Sequence, residues 1–155
     1  MLIVEIAAVA IVAGLLVWAA VVDWRRREIP DEVSIGIAVL SLPFWWATGV
    51  EVWPGAAIQV AFAAGAFAVF FGVFALGQMG GGDVKLITAL ALFLAPFDFV
   101  QMLIVMALAG AVLTVVMVVR HRVRKASGLF ENPYGIAISF AGLAVISVRY
   151  LNHFA

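Results

Sequence analysis

Apolar residues run through this chain in long blocks, and the polar positions between them are few enough to act as borders. The first block extends from Leu2 to Val22 and is interrupted only by Glu5. The second lies between Glu32 and Glu51, and the third follows Pro54 and Gly55 as far as Leu76. A fourth, Val84 to Phe97, is bounded by Asp83 and Asp98; a fifth covers Phe99 to Val119, and a sixth runs from Tyr134 towards the C-terminus. Blocks near 20 apolar residues have the length that crosses a hydrocarbon core as helix. The pattern therefore predicts an all-α, polytopic membrane protein with six transmembrane helices. No polar stretch exceeds about a dozen residues, which leaves no room for a separate soluble domain, so residues 1–155 read as one transmembrane domain.

Composition agrees. The 155 residues are 66% hydrophobic and 12% charged, with a mean hydropathy of +1.20, whereas soluble domains are about half apolar and a quarter charged. The formal net charge is zero, which points away from a nucleic-acid partner. There is no Cys, so disulfides, thiolate metal sites and a catalytic thiol are excluded. His121 and His153 have no partner at ligand spacing, and neither a metal nor a cofactor is expected.

Charge sets the orientation. With the N-terminus outside, Arg25, Arg26, Arg27, Lys85, Arg120, Arg122, Arg124 and Lys125 all fall inside, and of the nine Lys and Arg only Arg149 falls outside. Cytoplasmic loops carry such an excess, and six alternating crossings then put both termini outside. The basic cluster follows the first apolar block instead of preceding it, unlike a cleavable signal peptide. Trp45, Trp46 and Trp53 read as an outer interfacial belt. Glu51 and Asp98 read as outer loop charges, and Glu5 as interfacial.

This topology brings two short stretches to the cytoplasmic side: "DWRRREIPDE", Asp23 to Glu32, and "GGGDVK", Gly80 to Lys85. Asp23 closes one span and Asp83 opens another, 60 residues later. Only 14 residues separate Asp83 from Asp98, a helix of about 21 Å against a core of about 30 Å. Either the bilayer thins there or one of these aspartates lies below the interface. Irregular backbone such as the glycine run Gly80–Gly81–Gly82 is tolerated at that depth when it lines a wet cavity, and an ionisable side chain there is a functional hypothesis. Two carboxylates in one cleft share a proton, because like charges about 3 Å apart resist double ionisation. One can take a proton from an attacking water while the other protonates the carbonyl oxygen. Glycines beside them let a substrate backbone approach closely.

Plainer readings stand beside this one. Asp83 could be only a helix N-cap, worth about 1 kcal/mol. Asp23 could pair with Arg26 or Arg27 at helical spacing. Pro30 weakens that pairing by ending the helix by Ile29, and a carboxylate at a helix C-terminus opposes the macrodipole. Lys85 reads as a snorkelling anchor, with tuning of Asp83 as the alternative. The run Arg25–Arg27 reads as a topology determinant that could also touch lipid headgroups or substrate. In "ENPYGIAISF", Pro133 is an ordinary helix start, and Tyr134, followed by Gly135, reads as an interface anchor or as one wall of the cleft.

At these residues the chain resembles the type IV prepilin peptidases, membrane aspartic proteases of the GxGD kind. "GGGDVK" is similar to the GxGD signature, with Gly80, Gly82 and Asp83 in place. "DWRRREIPDE" resembles the first catalytic stretch, and "NPYGIAI" the start of the last helix in short members. The resemblance implies Asp23 and Asp83 as the catalytic pair. Gly80, Gly81, Gly82, Lys85, Pro30, Pro133, Tyr134 and Gly135 would bind substrate or shape the site. It also implies cleavage of the leader of a pilin or pilin-like substrate at the cytoplasmic face of the inner membrane, with the pilus assembly machinery as a possible partner. Long members carry a cytoplasmic insertion, often with paired cysteines that bind zinc, and also N-methylate the trimmed pilin. Here that loop is about ten residues and has no Cys, as in the short form associated with Flp-type, tight-adherence pili, so protease activity alone is expected. The alternatives are a preflagellin peptidase, a signal-peptide-peptidase-like protease, or a non-enzymatic transporter or scaffold.

Overall fold

A computed structural model describes residues 1–124 and 134–154. Among them the chain forms six helices: α1 (Leu2–Arg26), α2 (Asp31–Thr48), α3 (Ala57–Ala75), α4 (Gly81–Phe93), α5 (Pro96–Arg124) and α6 (Tyr134–Phe154). Leu2–Arg26, Val52–Ala75 and Pro96–Val119 are long and apolar enough to cross a membrane, and Tyr134–Tyr150 is a shorter apolar helix. Each helix falls on one of the six apolar blocks, with ends shifted by a few residues. The shifts that matter are at α1, which runs on past Val22 to carry Asp23, and at α4, which begins ahead of Asp83.

The packing order explains the burial. α4 is the central helix: it contacts α2, α3, α5 and α6, while α1 lies between α2 and α6. Seven of its residues, from Val84 to Phe93, are buried on all sides, as expected of a helix enclosed by neighbours. By contrast α3 and α5 expose most of their apolar surface. Gly142 of α6 permits close helix approach, since a Cβ there would lie 3.0 Å from Leu16 of α1 and 3.5 Å from Leu90 of α4. Small residues at helix interfaces serve this purpose where lipid removes the hydrophobic drive for association.

A short, enclosed helix must dispose of its last carbonyls without water. Side chains from two neighbours take them. The amide of Gln59, buried in α3, donates to the carbonyls of Ala91 (2.9 Å), Leu92 (3.3 Å) and Leu94. The Trp45 indole N–H also donates to Leu92 O, at 3.2 Å. Trp45 is thus a buried core residue and not a belt residue; Trp46 and Trp53 are exposed. Gln59→Leu keeps the volume and removes the donors. We expect it to cost about 1–3 kcal/mol, the range for a stranded buried polar group, read as a lower thermal midpoint of the detergent-solubilised protein. An unchanged midpoint would show that the Gln59 contacts contribute nothing.

Two polar links tie α6 to its neighbours at the end of the bundle where α4 leads into α5. Arg149 pairs with Asp98 in the first turn of α5. The Tyr150 hydroxyl donates to Glu5 of α1 at 2.8 Å.

Candidate active site

Asp23 continues the buried stripe of α1, which runs Ala8, Val12, Leu16, Ala19, Asp23. A carboxylate on a helix's packed face needs partners, and the start of α6 supplies them. Its Oδ2 accepts the backbone N–H of Ile136 at 3.1 Å, and the Gly135 N–H also interacts with it. The position that looked wrong for the dipole of α1 is therefore right for α6, whose N-terminus carries partial positive charge. The approach is close enough to require glycine: a Cβ on Gly135 would lie 2.9 Å from Asp23 Cγ and Oδ2 and 2.8 Å from Ile29 Cδ1. No hydrogen-bonded ion pair joins Asp23 to Arg26 or Arg27 among the described residues. Arg27 does attract it electrostatically. Arg27 itself ends α1 in the left-handed region, at φ 59°, with its N–H on Asp23 O. That reversal leads into Glu28–Pro30 and the start of α2.

Asp83 lies on the third residue of α4, and Gly80 holds the cap position. The glycine run is therefore the first turn of a helix and not an irregular loop. Asp83 Oδ2 accepts the Gly80 N–H at 3.3 Å, which ties it back onto its own helix start. Gly82 packs on the loop between α1 and α2, where a Cβ would stand 3.1 Å from Ile29 Cβ and 3.5 Å from its backbone N and O. Gly81 faces Phe74 of α3 at an ordinary 3.6 Å.

The two carboxylates meet in one cleft of about 430 Å³ and interact electrostatically. Arg27, Ile29, Gly77, Gln78, Met79, Gly80, Gly82 and Tyr134 complete the lining. Tyr134 is thus a wall of the cleft. Arg27 entered the sequence reading within the run Arg25–Arg27 and as a helical-spacing partner of Asp23, Ile29 only as a helix end, and the turn Gly77–Met79 was given no role; a glycine at the end of the third apolar block was the available signal, since the φ of 71° at Gly77 makes the turn out of α3. Lys85 is absent from the lining. It binds Asp31 at 2.8 Å, two residues and about 200° round the helix from Asp83. Pro30 does not line the cleft either; it caps α2, and its carbonyl accepts the Val33 N–H at 3.1 Å. Pro133 lies outside the described residues. Among the described residues no cluster of three His, Asp or Glu could hold a metal.

The model of the type IV leader peptidase family matches residues 10–118, a stretch that contains both aspartates and the glycine run. The chain belongs to the type IV leader peptidase family. Membership makes it a protease and, with its three long apolar helices, a membrane protein. No curated protein and no solved structure matches the chain. Within this peptidase, acid–base hydrolysis requires groups that hold and release protons around one reacting carbon, and the cleft brings together two carboxyls.

Proposed function

We propose that this leader peptidase is an aspartic endopeptidase that removes the leader of Flp-like prepilins at the cytoplasmic face of the inner membrane. Asp23 and Asp83 are its catalytic pair. The single observation that carries this reading is the convergence of these two side chains, 60 positions apart in the chain, in one cleft. Water attacks the scissile carbonyl as one carboxylate takes its proton, and the other carboxyl protonates the carbonyl oxygen. The tetrahedral gem-diol then collapses, the departing amine takes a proton, and both carboxyls return to their starting states. No nucleophilic side chain and no metal enters these steps.

Topology supports the chosen face. Six crossings with both termini outside place the cleft at the side rich in Arg and Lys. A membrane-anchored precursor with a polar leader would meet it there. The short loop between α1 and α2, without Cys, fits the Flp-type form and protease activity alone. Gly80, Gly82, Tyr134 and Gly135 shape the cleft; Gly81, Pro30 and Lys85 hold the helices that build it.

Co-expression with an Flp-type pilin precursor tests the reading. Wild-type protein converts the precursor to a faster-migrating mature form, and N-terminal sequencing places the cut ahead of the apolar helix. A membrane-inserted wild type that leaves the precursor intact would sink the proposal. Proton-coupled transport in vesicles would then favour the non-enzymatic alternative.

A further inference from the structure

One side chain stands between the two helix starts that build the cleft. Ile29 lies in the short loop between α1 and α2, half-buried, and lines the cleft. On one side it meets Gly82, the residue before Asp83, where a Cβ would lie 3.1 Å from Ile29 Cβ and 3.5 Å from its backbone N and O. On the other side it meets Gly135, the residue before the N–H that Asp23 accepts. A Cβ on Gly135 would lie 2.8 Å from Ile29 Cδ1. The root of the side chain is thus against α4 and its tip against α6. Glycine at both points lets the two backbones close directly onto it.

Ile29 is also stiff. Its backbone precedes Pro30, and the residue before a proline is confined to extended conformations. Its β-branched side chain has a restricted χ1. Both ends of the loop are fixed as well. The Arg27 N–H is bonded to Asp23 O at 3.0 Å, which closes α1, and the Pro30 carbonyl accepts the Val33 N–H at 3.1 Å, which opens α2. A stiff body held in a fixed place between two helix starts sets the gap between them.

We infer that Ile29 is a positioning residue of the peptidase: its side chain is the spacer between the starts of α4 and α6, and so fixes how Asp83 stands relative to Asp23. This rests on the reading of those aspartates as the catalytic pair and goes beyond it by naming what sets their separation. Ile29 moves no proton. It acts through Gly82 on the residue that follows, and through Gly135 on the N–H that orients Asp23. Groups that must act together on one carbonyl and one water lose rate steeply when their spacing drifts. The spacer can be shortened atom by atom. Ile29→Val deletes Cδ1, the atom at Gly135, and keeps the contacts with Gly82. Ile29→Ala deletes both γ carbons as well.

The test measures kcat and KM of the detergent-solubilised full chain on a purified Flp-type pilin precursor, per mole of folded enzyme. Ile29→Ala is expected to lower kcat about tenfold and Ile29→Val about threefold, with KM steady, because a vacated space displaces the helices by less than about 1 Å. Gly135→Ala puts its methyl where Ile29 Cδ1 stands. Combined with Ile29→Val, which removes that atom, it should regain part of the kcat that it loses alone. A KM that rises marks a residue that touches substrate, and an unchanged kcat per folded enzyme marks one that only stabilises the fold. Either result overturns the inference, as does a double variant no faster than Gly135→Ala. Where Ile29→Ala or Gly135→Ala does not accumulate in the membrane, Ile29→Val decides alone. A wild type that does not cut the precursor contradicts the proposed function instead, so the two failures are distinguishable.

Discussion

Asp23→Asn and Asp83→Asn are each expected to abolish leader removal while the protein still accumulates in the membrane. Loss of one general acid or base costs about 10²–10⁴-fold, which on a gel of co-expressed precursor reads as no mature band. The asparagine variants are fair tests because the fold should survive them. An amide at position 23 keeps an oxygen that can accept the Ile136 N–H, which docks α6 on α1. An amide at position 83 keeps an oxygen for the Gly80 N–H. Neither amide can take up or deliver a proton in the step described. Normal processing by either variant, with equal protein in the membrane fraction, would remove that residue from the catalytic pair. A transporter or scaffold would tolerate Asp23→Asn in this assay.

Gly82→Val should be nearly as damaging, for a reason in the protein and not in the substrate. From the sequence, a side chain at this position was expected to crowd a bound peptide. In the folded chain a nearer obstacle stands in the way: the Ile29 side chain and backbone. A branched residue would push the first turn of α4 away from the loop between α1 and α2, and Asp83 is the very next residue. Misplacement of a reacting group by about 1 Å can cost about 10²-fold in rate. We expect a comparable fall in kcat with little change in KM. Helix propensity cannot explain such a loss, since glycine is about 1 kcal/mol worse than alanine within a helix. Gly81→Ala, which would meet only Phe74 at ordinary contact distance, should lose far less. Full turnover by Gly82→Val would show that Ile29 yields without moving α4.

The helices and the pair of aspartates were legible in the sequence because both rest on strong local signals. Long apolar blocks have few ways to fold in a membrane, and ionisable residues at their borders stand out. One finer reading turned on the assumption that α4 starts after Asp83. With the glycines read as a loop, tuning of Asp83 stood as the alternative to a snorkelling role for Lys85. Once Gly81 and Gly82 are helical, Lys85 is turned away towards Asp31. Gly135 entered as a site-shaping residue by resemblance alone, because its close approach is to Asp23, 112 positions earlier. Yet the stripe from Ala8 to Asp23 already placed that carboxylate on a packed face, and so already required a buried partner. Gln59 gave no warning at all: a lone amide in an apolar block looks like noise until the stranded carbonyls of α4 are counted.

The grip of Gln59 and Trp45 on the far end of α4 turns that helix into a gauge. With its exit pinned at Ala91, Leu92 and Leu94, the number of residues back to Asp83 sets how far that carboxyl reaches into the cleft and which way it points. One residue added or removed in between would slide it by about 1.5 Å and swing it by about 100°. The length of this segment is thus as much a part of the chemistry as the aspartate at its head.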